Sequence, residues 1–351
     1  MFRRTLARLA LVLLLAATAS ADEIILIPNA TFKAPGGRIR GQITAETPAE
    51  IKINPATGPD QSVPVDQVES VAYDGAGQSY AQAEIREKTG QLAEAADLYK
   101  KAVSENAGKP LIAGAAKFHR ARILTDAAFA NPTKAKDAVA ELDGYVSTYP
   151  SGRFLASALE SLIRLHLQAG DSAKAQSALS QLKEKVPGAT DRVAILESKI
   201  LTKTGKFDQA IAGLDKTIEA TKGTPRARDA KLAKAEALVA QKKFDDALAT
   251  IQEVIKDSPP EAVEIQAVAH NTLGDCYRAA GKPKDALIAY LKTDILFDKD
   301  KEQHPRALAM IEQLFRELKV DARADEIHDR LKQLYPQSPY VAAAAGKPAA
   351  R

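Results

Sequence analysis

The amino-acid sequence predicts a mostly α-helical protein, an α-solenoid of about seven helix hairpins preceded by a small all-β, barrel-like domain. Three observations predict it. Small and apolar residues recur in a fixed frame at near-constant spacing between Gly90 and Leu331. The hydrophobic period changes from two to that of helices near Gly75. The composition is rich in Ala, holds no Trp and is only 5% aromatic, which suits closely packed short helices better than a sheet-based enzyme core.

The first 21 residues read as a signal peptide. Arg3, Arg4 and Arg8 form a positive start, Leu9 to Ala17 an apolar run, and Ala19-Ser20-Ala21 a small-x-small cleavage site before Asp22. The run is shorter than the ~20 residues that span a bilayer. Arg3-Arg4 hints at a twin-arginine signal, but its flanks favour the general secretory route. No Cys stands near the cleavage point to take a lipid, and no later stretch is long and apolar enough to cross a membrane. The expectation is an exported protein, periplasmic or extracellular.

The basicity of the chain belongs largely to this segment. The whole sequence has 49 Lys+Arg against 45 Asp+Glu, and removing the three leader arginines leaves a net charge of +1. A pI near 8.9 is therefore no argument for nucleic acid binding, and no stripe of basic residues interleaved with aromatics exists. The single Cys, Cys276, rules out an internal disulfide and reads as a small buried residue.

Residues 22–75 read as short strands. Ile24 to Ile27 is an apolar run, Gly37 to Ile43 alternates, and Ile51/Ile53, Val63/Val65 and Val68/Val71/Tyr73 continue the period of two. Pro35-Gly36-Gly37, Thr47-Pro48, Asn54-Pro55 and Gly58-Pro59-Asp60 separate them as turns. Four or five strands in so short a stretch suffice for one small core. The pattern resembles the small SH3- or Sm-like barrels at the front of bacterial envelope proteins. Asp74-Gly75-Ala76-Gly77 is a joint, and residues 341–351 form a C-terminal tail.

The helical region shows a repeated frame. Gly90, Ala95, Tyr99 and Ala102 set the spacing, which returns as Gly170, Ala175, Leu179 and Leu182, as Gly205, Ala210, Leu214 and Thr217, and as Gly281, Ala286, Tyr290 and Thr293. Three copies keep the frame without its Gly: Ala138/Leu142/Tyr145, Ala247/Ile251/Val254 and Ala324/His328/Leu331. Pro150, Pro187, Pro259 and Pro336 close four of the seven copies. The Gly ends a first helix in a sharp turn. The Ala sits where two helices approach to methyl distance, the next two positions bury on the same face, and the Pro stops the second helix.

This frame resembles the tetratricopeptide repeat over residues 78–340, with periods longer than the family's 34 residues and an irregular second copy. The Tyr149-Pro150-Ser151 and Tyr335-Pro336-Gln337-Ser338-Pro339 endings look like those of bacterial envelope repeat proteins. The resemblance implies a right-handed α-solenoid whose first helices line a concave face that takes a peptide or a partner helix. First-helix residues off the packing face are the candidate contacts: Arg164, Lys199, Glu236, Asn271, Asp275, Arg278, Gln313 and Arg316. Of these, Arg164, Lys199, Arg278 and Arg316 suit an acidic peptide or a C-terminal carboxylate. The family's paired Lys and Asn carboxylate clamp is not reproduced.

Chemistry-bearing motifs are not found in the sequence. It contains no phosphate loop, no nucleophile elbow, no H-E-x-x-H and no Cys/His zinc spacing. His119, His166, His270, His304 and His328 are scattered along the repeats and read as packing residues. Acids such as Asp245-Asp246 and those from Asp298 to Glu302 serve helix starts and loops without calcium-loop spacing. The expectation is a non-enzymatic scaffold or adaptor without cofactor or metal, binding a protein or peptide partner and no nucleic acid, in cell-envelope assembly. Alternatives are an enzyme or accessory module acting on cell-wall glycan, and a self-assembling array stacked through an Ala-rich last helix near Val341 to Ala345.

Overall fold

The computed structural model describes residues 21–28, 30–300, 303–336, 338 and 340–341. The signal peptide, apart from Ala21, and the tail beyond Val341 lie outside the described residues. The chain divides into two compact units, one running to Ala76 without residues 46–49 and the other holding the rest.

The first unit is one antiparallel sheet of β1 (Asp22–Leu26), β2 (Arg38–Glu46), β3 (Glu50–Pro55), β4 (Gln61–Pro64) and β5 (Val68–Ala72), in the order β4-β3-β2-β1-β5. The last strand thus returns onto the first. The alternation in sequence becomes a one-sided core. Ile24 pairs with both Ile39 and Val71, Ile51 pairs with Val63, and all five are buried. Gly41 is required where β2 meets β3, because a Cβ there would lie 2.2 Å from the Asn54 carbonyl oxygen. Asp22 ties the sheet's start to its middle and end, accepting the backbone N–H of Ile43 and of Asp74, both at 2.8 Å.

The second unit is a series of fourteen α-helices among the described residues, paired as seven hairpins: α1 (Gly77–Lys88) with α2 (Leu92–Glu105), α3 (Pro110–Ala130) with α4 (Ala135–Thr148), α5 (Leu155–Gln168) with α6 (Ser172–Lys185), α7 (Thr190–Lys203) with α8 (Phe207–Ala220), α9 (Pro225–Ala240) with α10 (Phe244–Asp257), α11 (Val263–Ala279) with α12 (Pro283–Leu296), and α13 (Gln303–Glu317) with α14 (Asp321–Leu334). Ala95, Ala138, Ala175, Ala210, Ala247, Ala286 and Ala324, each in the first turns of a second helix, are all fully buried. The residues four positions on are fully buried too, except His328, which is half-buried beside Glu312 at 3.2 Å. Helices α4, α6, α10 and α14 each stop two residues before the predicted Pro.

The turns keep one geometry whether or not a Gly is present. At Gly281 (φ 70°), Lys282 N–H reaches back to the Tyr277 carbonyl at 2.9 Å. Lys242 (φ 62°) and Lys319 (φ 60°) adopt the same left-handed backbone without Gly, and the following N–H groups bond to Leu238 and Phe315 in the same way. The second hairpin departs from this pattern. Its first helix is 21 residues long and turns through a 3-10 segment at Pro132–Lys134, which explains the missing Gly.

Among the described residues the helices pack through several separate apolar clusters. One apolar cluster runs from Phe118 to Ile200 through three hairpins, another from Leu232 to Ala289, and a third joins Ala286 to Leu314. Between α11 and α12 the approach is so close that a Cβ on Gly274 would lie 2.6 Å from the Tyr290 ring. Among the described residues no helix is long and apolar enough to cross a membrane.

Candidate protein-binding surface

From α3 onward each first helix packs on the next first helix, α3 on α5, α5 on α7, α7 on α9, α9 on α11 and α11 on α13, as well as on its own second helix. The first helices therefore form a continuous row. The residues that the repeat frame does not bury fall on this row at one-turn steps, as Ser157, Glu160 or Ser161, Arg164 and Gln168 do on α5.

Most of the charges on the row are paired across helices. Lys199 on α7 stands 3.5 Å from Glu236 on α9. Arg278 on α11 donates to Glu317 on α13 at 3.0 Å. Asp275 accepts from Arg306 at 2.5 Å and from the Tyr290 hydroxyl at 2.6 Å. Arg192 on α7 lies 3.4 Å from Glu160 on α5. Arg316 donates to Glu312 and Asp325, both at 3.1 Å. Burial works against the Arg306 charge, but the adjoining Asp275 carboxylate holds its pKa above the ordinary value. Burial, and then Asp275, push the Tyr290 phenol well above its usual range.

Of the eight residues singled out from the sequence, the structure thus brings Lys199 and Glu236 together and engages Asp275, Arg278 and Arg316 with neighbours. Arg164 is exposed and stacks 4.3 Å above the Phe129 ring, and Gln313 is exposed. Asn271 is placed differently from expectation. It is fully buried, and its Nδ2 donates to the backbone and side-chain oxygens of Gln303, both at 3.0 Å, because the start of α13 lies over it. Asn271 therefore joins two hairpins rather than facing a partner.

The partners Glu160, Arg192, Arg306 and Glu317 were missed in the sequence, although a signal existed. Opposite charges stand one repeat apart, Lys199 to Glu236 and Arg278 to Glu317. A further chain was also missed. The Tyr335 hydroxyl meets His304 Nδ1 at 2.7 Å, His304 Nε2 meets Asp294 at 2.7 Å, and Arg330 donates to Asp294 at 2.8 Å. It joins α12, α13, α14 and the following turn. Burial opposes ionisation of Asp294, but these hydrogen bonds hold its carboxyl below the usual value.

A cleft of about 500 Å³ between α8 and α10 contains Asp208, Asp215 and Asp246. Asp215 is paired with Lys234 at 2.6 Å, and Asp208 accepts from Gln241 at 2.9 Å. Among the described residues no group of three His, Cys, Asp or Glu is placed to hold a metal ion.

Residues 138–310 match the tetratricopeptide repeat-like domain. That match covers just under half of the chain, and hairpins of the same construction continue on both sides of it. The helical unit is a tetratricopeptide repeat-like array. No curated protein matches the chain. Among solved structures, a Rap protein complexed with Competence and Sporulation Factor is similar in fold at 11% identity, covering 76% of this chain and 79% of that one, with a TM-score of 0.50. A tetratricopeptide repeat protein from Parabacteroides merdae ATCC 43184 aligns at 16% identity over 77% of this chain and 100% of its own, with a TM-score of 0.45. PilW, a type IV pilus biogenesis factor, aligns at 17% identity over 64% and 98%, with a TM-score of 0.40.

Proposed function

We propose that this protein is a protein-interaction scaffold without catalysis of its own, exported from the cell and acting in the cell envelope, with a partner segment lying along the row of first helices. The observation that carries this reading is the row itself. Five successive contacts between first helices align exposed side chains over several hairpins, a length suited to an extended or helical segment of another protein.

The pairing on the row bears on the kind of partner. Lys199, Arg278 and Arg316 already have acids, so a uniformly acidic peptide would have to displace them. A segment of mixed charge instead exchanges exposed pairs one for one, at little net cost in water. Export is supported by the leader pattern before Asp22 and by the start of β1 at that residue, directly after the expected cleavage point.

The test is site-specific photo-crosslinking in envelope preparations, with the crosslinker at Arg164 or Gln313 on the row and at Glu184 on α6 as the control. The reading expects one or more defined linked chains from the row positions and none from Glu184. Equal or absent linking at all three positions, with the variants folded, contradicts it.

A further inference from the structure

The fifth and sixth hairpins share one register. Their first helices end at Ala240 and Ala279, and their second helices begin at Phe244 and Pro283, a constant offset of 39 residues. At that offset Lys231, Glu253 and Asp257 correspond to His270, Lys292 and Leu296. In the fifth hairpin these positions form a closed ion cluster, with the Lys231 ammonium 2.6 Å from Glu253 and 3.6 Å from Asp257. In the sixth, both acids are lost, one to a cation and one to a leucine.

These three positions of the sixth hairpin carry no carboxylate. His270 is only 5% exposed, stacks on Phe297 with ring centroids 5.6 Å apart, and has an Nδ1 buried without a hydrogen-bond partner. It lines a cleft of about 290 Å³ between α10 and α12, together with apolar Ile255, Leu273 and Ala289, with Lys256 and Lys292, and with one carboxylate, that of Asp285. Both lysines are exposed at the cleft's rim. Burial, and then the nearby Lys292, hold the His270 pKa down at about 4, so the imidazole is neutral near pH 7 and offers a single N–H. An uncompensated buried polar group costs stability that a bonding partner restores. Beside the cleft, α12 exposes Ile288 at 56%, Ile295 at 70% and Leu296 at 61%. A bare inorganic anion would leave this apolar patch uncovered.

We propose that this cleft docks an acidic side chain flanked by aliphatic residues on a partner protein. The carboxylate meets Lys256, Lys292 and the imidazole N–H of His270, and the flanking side chains cover Ile288, Ile295 and Leu296. The site lies between second helices and does not depend on what binds the row of first helices.

The experiment titrates the full chain with acetyl-Ile-Glu-Leu amide, with its Gln counterpart, with octanoate and with inorganic phosphate, following the assigned imidazole NMR signals. The expected result is a saturable shift confined to His270 with the Glu peptide, at least tenfold weaker with the Gln peptide and weaker with either small anion. The double variant His270→Lys/Lys292→Glu rebuilds the ion pair of the fifth hairpin. It should keep the melting temperature and lose the binding. Lys256→Gln, an exposed position, should weaken binding several-fold and carries the test if the double variant fails to fold. An unmoved His270 signal, an equal response to the Gln peptide, tighter binding of octanoate or phosphate, or undiminished binding by Lys256→Gln would each overturn the proposal.

Discussion

Lys199 and Glu236 stand 37 residues apart in sequence and 3.5 Å apart in space, joining two consecutive first helices of the array. Both side chains remain substantially in water, at 35% and 50% exposure, so the pair contributes little to folding. A double-mutant cycle of Lys199→Ala and Glu236→Ala followed by urea unfolding should give a coupling below about 1 kcal/mol. A coupling of several kcal/mol would mean the pair is structural and not free to be exchanged with a partner.

Lys242 and Lys319 hold the left-handed turn that Gly90, Gly170, Gly205 and Gly281 hold elsewhere. A side chain is strained in that region, so Lys242→Gly and Lys319→Gly should each stabilise the protein by about 0.5–1 kcal/mol. Gly281→Ala should cost a similar amount. Denaturant midpoints measure all three, and destabilisation by Lys242→Gly would contradict the turn geometry.

Gly274 lets α11 pass the ring of Tyr290, which hydrogen-bonds through its hydroxyl to Asp275. Gly274→Ala should destabilise by about 1–3 kcal/mol through overpacking. Gly144 provides a control in the same assay. A Cβ there would meet only the flexible end of Lys117, so Gly144→Ala should be mild.

Stability should fall as the solution is acidified from about pH 6.5 towards 4. His119 and His270 are both held down at about pKa 4, mainly by burial, with Arg153 adding to the effect at His119 and Lys292 at His270. The unfolded histidines bind protons near 6.5 and the folded ones do not, so each contributes stability above that pH and loses it down to its folded pKa. The slope reaches about 1.4 kcal/mol per pH unit for each histidine. His119→Leu should flatten the unfolding free energy measured against pH in that window. An unchanged slope would show that His119 is protonated in the folded protein.

The parts of the fold that act within one hairpin were legible in the sequence. Ala247, Ile251 and Val254 report burial through their spacing alone, and Gly281 reports its turn through its chemistry. The five strands were legible in the alternation around Ile39 and Ile51, whereas their order depends on pairings such as Ile24 with Val71, nearly 50 residues apart. The left-handed turns at Lys242 and Lys319 were hidden because lysine has no preference for that backbone. On the candidate surface, the neighbours of the singled-out residues were not legible. Arg278 looked free because Glu317 reaches it from the next hairpin, and Asn271 looked exposed because nothing local shows that Gln303 covers it.

Seven alanines seat the hairpins against one another while the first-helix row stays open. Cysteine labelling tests it, because the natural Cys276 is fully buried and provides a quiet background. Single Cys substitutions at Ala95, Ala138, Ala175, Ala210, Ala247, Ala286 and Ala324 are compared with one at Gln313 in native buffer. Maleimide should label position 313 at once and the seven alanine positions only as fast as the protein opens. Prompt native labelling at several of those alanine positions would contradict that seating.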